Sequence, residues 1–498
     1  MKNILDLDNK EAKQFFLKNE SYCNIDLPEY FTFEELLNEL SKELSSSSIS
    51  DYYHSYKDNK LCNYDNVNHT IVGNKDGKYA WRSFDLIHPA LYVDLVNSIT
   101  SEENWKFIKK HLENNNITDI QCLSLPVLSN KKKKKDKSEQ ILNWWHNVEQ
   151  KSLELALEYN YVVLADITNC YDSIYTHSIP WALHSKDTAK KKRRDKSLLG
   201  NIIDNSISNM RFGQTNGIPT GSVLMDLVAE IVLARIDKLI YNKLSDEVKE
   251  DYKILRYRDD YRIFVKESFI GDKILKILSE ELYKYNFRLN SNKTKQGENI
   301  VLLSVKSDKI ALLELNKDYI NIQKELLVIY KFSKSFPNSG SLIRSLNNIY
   351  DKIENNHMRK DNLDVLISIV VQLMFENPRV ISLGSGLLSL LLNNKEEIEI
   401  KNIIEKITNK FQVIPNTGLL DVWLQRLSYP IIGNSDFKEP LCKQVIKSNT
   451  NDIWNNEWLA ENKVKQLITD SDIINREKLE GMTNVISKDE FDVFEYMG

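Results

Sequence analysis

The sequence predicts an α+β fold over residues 1–310, followed by an all-α helical-repeat part over 311–498. Three observations lead there. Tyr161-Val-Val-Leu-Ala165 is a continuous apolar run ending on Asp166, the mark of a buried strand. Lys253–Arg258 and Tyr261–Val265 are two short strand-forming runs, with Asp259-Asp260 as the two-residue connection that a β-hairpin needs. From about residue 320 onward, the apolar spacing is helical almost to the end.

The 498 residues, 28% charged and 42% hydrophobic, suffice for two or three domains with substantial cores. Net charge is −4, so a nucleic-acid site would have to be a local patch. Cys23, Cys62, Cys122, Cys170 and Cys442 are scattered without a CxxC pair. That argues against a disulfide framework or a zinc site and fits a reducing cytosol. The opening MKNILDLDNKEAK is too polar for a signal peptide. The most apolar stretch, Leu363 to Phe375, is short and broken by Ser368 and Gln372, so it predicts a buried helix and no membrane span.

Taken in order, residues 1–120 read as mostly helical. Thr100-Ser-Glu-Glu103 resembles a capping box ahead of Trp105, Ile108, His111 and Leu112. A lysine run at 130–138 reads as a solvated or phosphate-facing loop. Residues 139–160, carrying Trp144 and Trp145, predict a helix, and 186–196 form a second basic cluster. Gly217-Ile-Pro-Thr-Gly-Ser222 is a tight turn feeding a helix from about Val223 to Tyr241, with Leu224, Leu227, Val228, Ile231 and Val232 on one face. Helical segments follow at 320–335, 340–355, 361–376, 380–393, 396–411, 417–428, 440–448 and 457–469, with breaks at Pro337, Pro378, Pro415 and Pro430. Stacked helical pairs are the expected packing.

If the strands share one sheet, Asp166, Asp259 and Asp260 meet at its edge. Three unpaired carboxylates would be driven to take up protons. A pair of magnesium ions resolves the repulsion, because hard cations take oxygen ligands. Two ions held by shared carboxylates are a standard device for phosphoryl transfer.

The order strand–Asp, Gly/Pro turn into a helix, hairpin tipped by Asp-Asp, then Leu289-Asn-Ser-Asn-Lys293-Thr294 resembles the palm of reverse transcriptases: motif A, motif B, the Tyr-x-Asp-Asp box and motif D. Leu27-Pro-Glu-Tyr-Phe31, Arg82-Ser-Phe-Asp-Leu-Ile-His88-Pro-Ala-Leu-Tyr92, the stretch from Asp166 to His184, and Arg256-Tyr-Arg-Asp-Asp-Tyr-Arg-Ile-Phe264 extend the resemblance. It points to the bacterial abortive-infection and "unknown group" defence-associated reverse transcriptases. The helical half, with Asp421-Val-Trp-Leu-Gln-Arg426, suits that group, whose members carry α-helical repeats in place of a conventional thumb.

The resemblance implies right-hand fingers and palm, and a cytoplasmic bacterial enzyme using dNTPs with two Mg2+, or Mn2+ in their place. It implies metal binding by Asp166, Asp259 and Asp260 with the Ile167 carbonyl. Tyr171 would be the aromatic gate against a ribose 2′-hydroxyl, or else a core tyrosine. Gln214, Gly217, Pro219 and Gly221 match motif B, or form a plain helix-entry turn. Lys293 would be an acid for the leaving pyrophosphate, or a surface lysine. Arg82 would clamp the triphosphate, or make a structural ion pair. His88, His177 and His184 read as packing residues.

Two departures stand out: Thr220, where many templated members have Gln, and Arg258, where a small or apolar residue is usual. Arg258 would contact a phosphate near the primer end or crowd a duplex there. Both weigh against long-template copying. Some members of the group make DNA without a template on a protein hydroxyl; with 23 tyrosines present, Tyr30 and Tyr496 are only guesses. The product would be single-stranded DNA attached to the protein. The alternatives are templated copying of a dedicated noncoding RNA held by 131–137 and 186–196, and a catalytically silent helical scaffold. Trimers or hexamers are the assemblies associated with the group.

Overall fold

The structure, a computed structural model, describes residues 2–54, 60–74, 80–129, 136–248, 251–315, 321–355, 362–393, 395–433, 437–446 and 453–491. The lysines at 131–135 and Tyr496 lie outside these residues.

A five-stranded sheet organises the first part. Its order is Ile120–Cys122, Tyr252–Tyr257, Asp260–Val265, Tyr161–Asp166 and Lys295–Gly297. The first two strands run parallel and the other neighbours antiparallel. Side chains alternate across a strand, and here both faces are apolar. Val163, Ala165, Ile254, Ile263 and Val265 enter the main core, while Val162, Leu255 and Phe264 join a smaller cluster with Tyr159 and Ile300. The helix Ser268–Lys284 packs on the two central strands, and the long helix Val223–Glu247 packs beside it.

The catalytic hairpin departs from the sequence expectation by one residue. Asp260 is the first residue of its strand and pairs with both Tyr257 and Asp166. The two-residue turn is therefore Arg258-Asp259, with Arg258 at φ +55°. A left-handed arginine is costly, and local bonds hold it. The Arg258 amide donates to Ser124 Oγ at 2.8 Å, and its carbonyl accepts from Arg256 at 3.2 Å. Turn propensity favours Asp over Arg at such a position, which is why sequence alone shifts the turn.

Behind the hairpin, the long helix carries Asp226, Glu230 and Asp237 on its buried side. Arg256 is fully buried and pairs with Glu230 at 2.9 Å and Asp237 at 2.7 Å. Ser124 donates to Glu230 at 2.6 Å, and Tyr261 donates to Asp237 at 3.0 Å. Burial pushes the Asp226 and Asp237 carboxyls up; Arg258 and Arg256, respectively, pull them back. The hairpin is thus bolted to the helix by charge as well as by packing.

Near the amino terminus, helices surround the hairpin His69–Asn74/Trp81–Leu86. The helix expected after Thr100 spans Glu102–Asn114, but Ser101 is its N-cap and makes no side-chain capping bond.

The carboxy-terminal helices from Ile322–Ser335 to Pro440–Ile446 fall close to where the periodicity places them and pack largely on near neighbours in the chain. The helix expected at 457–469 spans only Lys463–Asp470 and packs on the amino-terminal helices Glu34–Glu43 and Pro89–Ile99. Pro430 does not break its helix, which runs Gly418–Ile432 and ends at Gly433, φ +75°. The proline removes one backbone hydrogen bond and crowds the carbonyl four residues earlier, and the helix ends two residues after it. Helix Ser307–Leu315 runs across the expected 310/311 junction. The last described segment returns to the amino-terminal part: Thr32 donates to the Ile473 carbonyl at 2.9 Å, and Trp454 Nε1 to the Leu86 carbonyl at 3.0 Å. Trp423 Nε1 donates to the Asp26 carbonyl at 2.9 Å, and one apolar core runs through both parts. No helix among the described residues is long and apolar enough to cross a membrane.

Replacing Arg256 by Met would leave Glu230 and Asp237 buried without a cation. The expected loss is about 3–5 kcal/mol, read as a lower midpoint in chemical denaturation. A midpoint equal to that of the unaltered protein would show that the buried pairs contribute nothing.

Candidate active site

Antiparallel pairing places Asp166 directly opposite Asp260. The Ile167 amide donates to the Asp259 carbonyl at 3.0 Å, so the end of the motif A strand is tied to the turn. Asn290 donates to the Asp166 carbonyl at 2.8 Å, and Thr168 to the Arg288 carbonyl at 2.8 Å. These bonds bring the motif D segment alongside. From it, Lys293 Nζ reaches Asp166 Oδ2 at 2.8 Å, with its own side chain 62% exposed and that of Asp166 8% exposed. Four expected residues (Asp166, Asp259, Asp260 and Lys293) therefore share one site.

Electrostatics follow from that convergence. Asp260 is pushed up to about 7, first by loss of hydration in the cleft and then by the charges of Asp259 and Asp166. Its carboxylate is open to solvent on one side, so the like-charge repulsion is the firmer of the two causes. Burial, then Asp166, raises Asp259 as well. Burial works against the Lys293 ammonium, yet Asp166 outweighs it and holds the lysine above its ordinary value.

The donor chemistry suits hard divalent cations: three carboxylates that repel one another, with one cationic nitrogen already drawn to Asp166. Among the described residues, no group of three or more His, Cys, Asp or Glu side chains is closed around a single point. A metal would thus draw the carboxylates in and compete with Lys293 for Asp166.

The expected motif B residues are tied to Tyr171 and to the hairpin Trp81–Leu86, the Ile218 amide donating to the Tyr171 carbonyl at 3.0 Å. Gly217 is at φ +81° and Gly221 at φ +120°. A Cβ on Gly221 would come 3.2 Å from the Asp85 carbonyl oxygen, so glycine is required both for backbone conformation and for the close approach of the hairpin Trp81–Leu86. Thr220 is committed to that hairpin. Its carbonyl accepts from the Asp85 amide at 2.6 Å, and its hydroxyl donates to the Ser83 carbonyl. Pro219 is buried, whereas Gln214 is exposed in the turn after helix Leu199–Asn209. Arg82 is exposed on the hairpin, near enough to Arg379 of the helical part for their charges to oppose each other.

Tyr171 is half-buried, and its hydroxyl donates to Asp226 Oδ1 at 2.6 Å. Arg258 Nη2 donates to Asp226 Oδ2 at 2.9 Å. The guanidinium is folded back onto the helix rather than reaching out from the turn. Asp226 escaped the sequence reading. The signal was there: Asp226, Glu230 and Asp237, spaced by four and seven, are acids inside the apolar stripe of one helix, and such a stripe demands cations.

The histidines behave as packing residues. His88 is buried, bonded to Asn456 at 2.9 Å and lowered to about 4 by burial. His177 bonds Asp204 at 2.5 Å, and His184 accepts from the Gly200 amide at 3.1 Å. Tyr30 is 2% exposed, and burial raises its hydroxyl well above the usual range. No incoming nucleotide reaches it in this arrangement, which argues against Tyr30 as a primer.

The reverse transcriptase (RNA-dependent DNA polymerase) family model matches residues 103–359, just over half of the chain. The chain belongs to the reverse transcriptase family. The matched span holds the five-stranded sheet and all four residues of the central cluster. No curated protein compared with the sequence matches it. Among solved structures, it is similar to apo telomerase from Candida tropicalis, at 15% identity over 78% of this chain and 72% of that one, TM-score 0.32. A form of that telomerase lacking its C-terminal domain matches at 16% identity over 52% of this chain and 55% of the other, TM-score 0.30. Telomerase from Candida albicans in complex with a TWJ fragment of telomeric RNA matches at 13% identity over 79% and 69%, TM-score 0.30. The chain thus spans little more than half the length of the truncated telomerase. Likenesses this distant say nothing about substrate.

The raised Asp260 pKa fixes the sign of a pH effect. An acid whose folded value lies above its unfolded value of about 3.9 destabilises the fold when ionised. That penalty is present in full above about pH 7 and disappears as pH falls toward the unfolded value. Magnesium should therefore raise the unfolding temperature more at pH 8 than at pH 6. Asp260→Asn should flatten the difference. An equal rise at both pH values in the unaltered protein would contradict the assignment.

Proposed function

We propose that the chain is a DNA polymerase of the reverse transcriptase family acting in antiphage defence, synthesising DNA without a template and priming on a protein hydroxyl. The observation that carries the polymerase reading is the convergence of Asp166, Asp259 and Asp260, with Lys293 bonded to Asp166. Support for the defence role comes from the sequence resemblance, including the helical part that follows the palm.

In the proposed reaction, a hydroxyl oxygen attacks the α-phosphorus of a dNTP. The new P–O bond forms as the bond to pyrophosphate breaks. The hydroxyl proton passes to solvent water, and pyrophosphate takes up a proton as it leaves. Two magnesium ions, or manganese in their place, would be held by Asp166, Asp259, Asp260 and the Ile167 carbonyl, and would supply activation of the hydroxyl and neutralisation of the leaving group. Lys293, ion-paired with Asp166, would hand its Nζ proton to the departing pyrophosphate. Tyr171 would face the sugar, and Gln214, Gly217, Pro219 and Gly221 would belong to the nucleotide-binding motif B turn. Arg82 would meet the triphosphate from the exposed hairpin.

One feature supports synthesis without a long template: Thr220 replaces a longer amide side chain and is tied to the hairpin. Arg258, expected to contact or crowd a duplex, is instead tied to Asp226 and gives no support either way. Templated copying of a noncoding RNA is the competing reading, favoured by the exposed basic helix Lys186–Lys191.

Purified protein with magnesium and labelled dNTPs, without added nucleic acid, should become labelled on the polypeptide. An unlabelled polypeptide, with one abundant RNA copurifying, would favour templating. Asp259→Ala with Asp260→Ala should abolish both labelling and defence; retained protection would favour a silent scaffold. Lys293→Ala should slow incorporation by about a hundredfold or more, and an unchanged rate would remove Lys293 from the chemistry.

A further inference from the structure

The sugar gate is not a free-standing ring. Tyr171 is anchored twice to the same structural unit: its carbonyl accepts from the Ile218 amide at 3.0 Å, and its hydroxyl donates to Asp226 at 2.6 Å. Both partners belong to the motif B segment or the first turns of the helix it feeds. The other oxygen of the same carboxylate accepts from Arg258 at 2.9 Å. Arg258 is the residue before Asp259, and its φ of +55° commits it to the catalytic turn. One carboxylate, 9% exposed, therefore joins the gate to the metal-binding turn.

The chemistry of this junction is specific. A hydrogen bond to a charged acceptor is stronger than one between neutral groups. Burial pushes the Asp226 carboxyl up and Arg258 pulls it back, and the guanidinium on Oδ2 leaves Oδ1 to accept from the Tyr171 hydroxyl. A half-buried phenol without such a partner is free to swing about its side-chain torsions, and steric exclusion of one extra oxygen requires the ring to stay put.

We propose that Asp226 is a positioning residue for sugar discrimination. With Arg258 as its counter-ion, it pins the Tyr171 ring so that deoxynucleotides are accepted and ribonucleotides excluded. The inference rests on the polymerase reading above and assigns Arg258 a place in the gate instead of at the primer backbone.

The test measures kcat/KM for a dNTP and for the matching rNTP in the full-length protein. Tyr171→Ala should collapse the ratio. Tyr171→Phe, which removes only the hydroxyl and keeps the ring, should lower it by about tenfold to a hundredfold, as loss of a charge-assisted bond would. Asp226→Asn should lower it similarly, and adding it to Tyr171→Phe should lower it little further, because both cut the same tether. The change should appear mainly as a lower rNTP KM, with dNTP kcat altered far less. If Asp226→Asn fails to fold with Arg258 unpaired, Tyr171→Phe carries the test by itself. Unchanged ratios in Tyr171→Phe and in any folded Asp226→Asn overturn the inference and leave the polymerase reading intact. No incorporation by the unaltered protein overturns both.

Discussion

The catalytic turn of this protein stands on a buried charge balance. Three acids on one helix, Asp226, Glu230 and Asp237, face two arginines of the hairpin, Arg256 and Arg258. Burying such charges is costly unless each finds a partner, so the helix and the hairpin dock in one register only. That register sets Asp260 opposite Asp166 and leaves Arg258 left-handed at the turn. The carboxylates of Asp166, Asp259 and Asp260 repel one another above a base whose charges are already paired. Strain at the site is thus supported by an ion-paired base, and the same base reaches the sugar gate through Asp226.

Much of this was legible in the residue pattern, and the failures have physical causes. The strand Tyr161–Asp166 is apolar on both sides, so it announces itself as buried. The carboxy-terminal helices have strong 3.6-residue periodicity and appear within a few residues of expectation. The turn was displaced to Asp259-Asp260 because turn propensities are local, whereas Arg258 is held in place by Ser124, more than a hundred positions earlier. Pro430 reads as a terminator, and the helix ends at Ile432, only two residues beyond it. Asp226 was overlooked because an acid within an apolar stripe is conspicuous only once its cation is known.

The two parts of the chain share more than a junction. Trp454 and Ile473 tie the last described segment to the amino-terminal hairpin and loops, and Trp423 reaches Asp26. The charge of Arg379 opposes that of Arg82 across this seam. Movements of the helical part would thus be felt at the hairpin that clamps Thr220 and Gly221.

All of this requires that Asp166, Asp259 and Asp260 hold divalent cations. Anomalous diffraction from crystals grown with manganese and a non-reactive dNTP analogue would decide it most directly. The account predicts manganese between Asp166 and the 259–260 turn, with the Lys293 ammonium displaced from Asp166 toward the phosphates. Manganese bound elsewhere, with Lys293 still on Asp166 and the carboxylates unmoved, would contradict it.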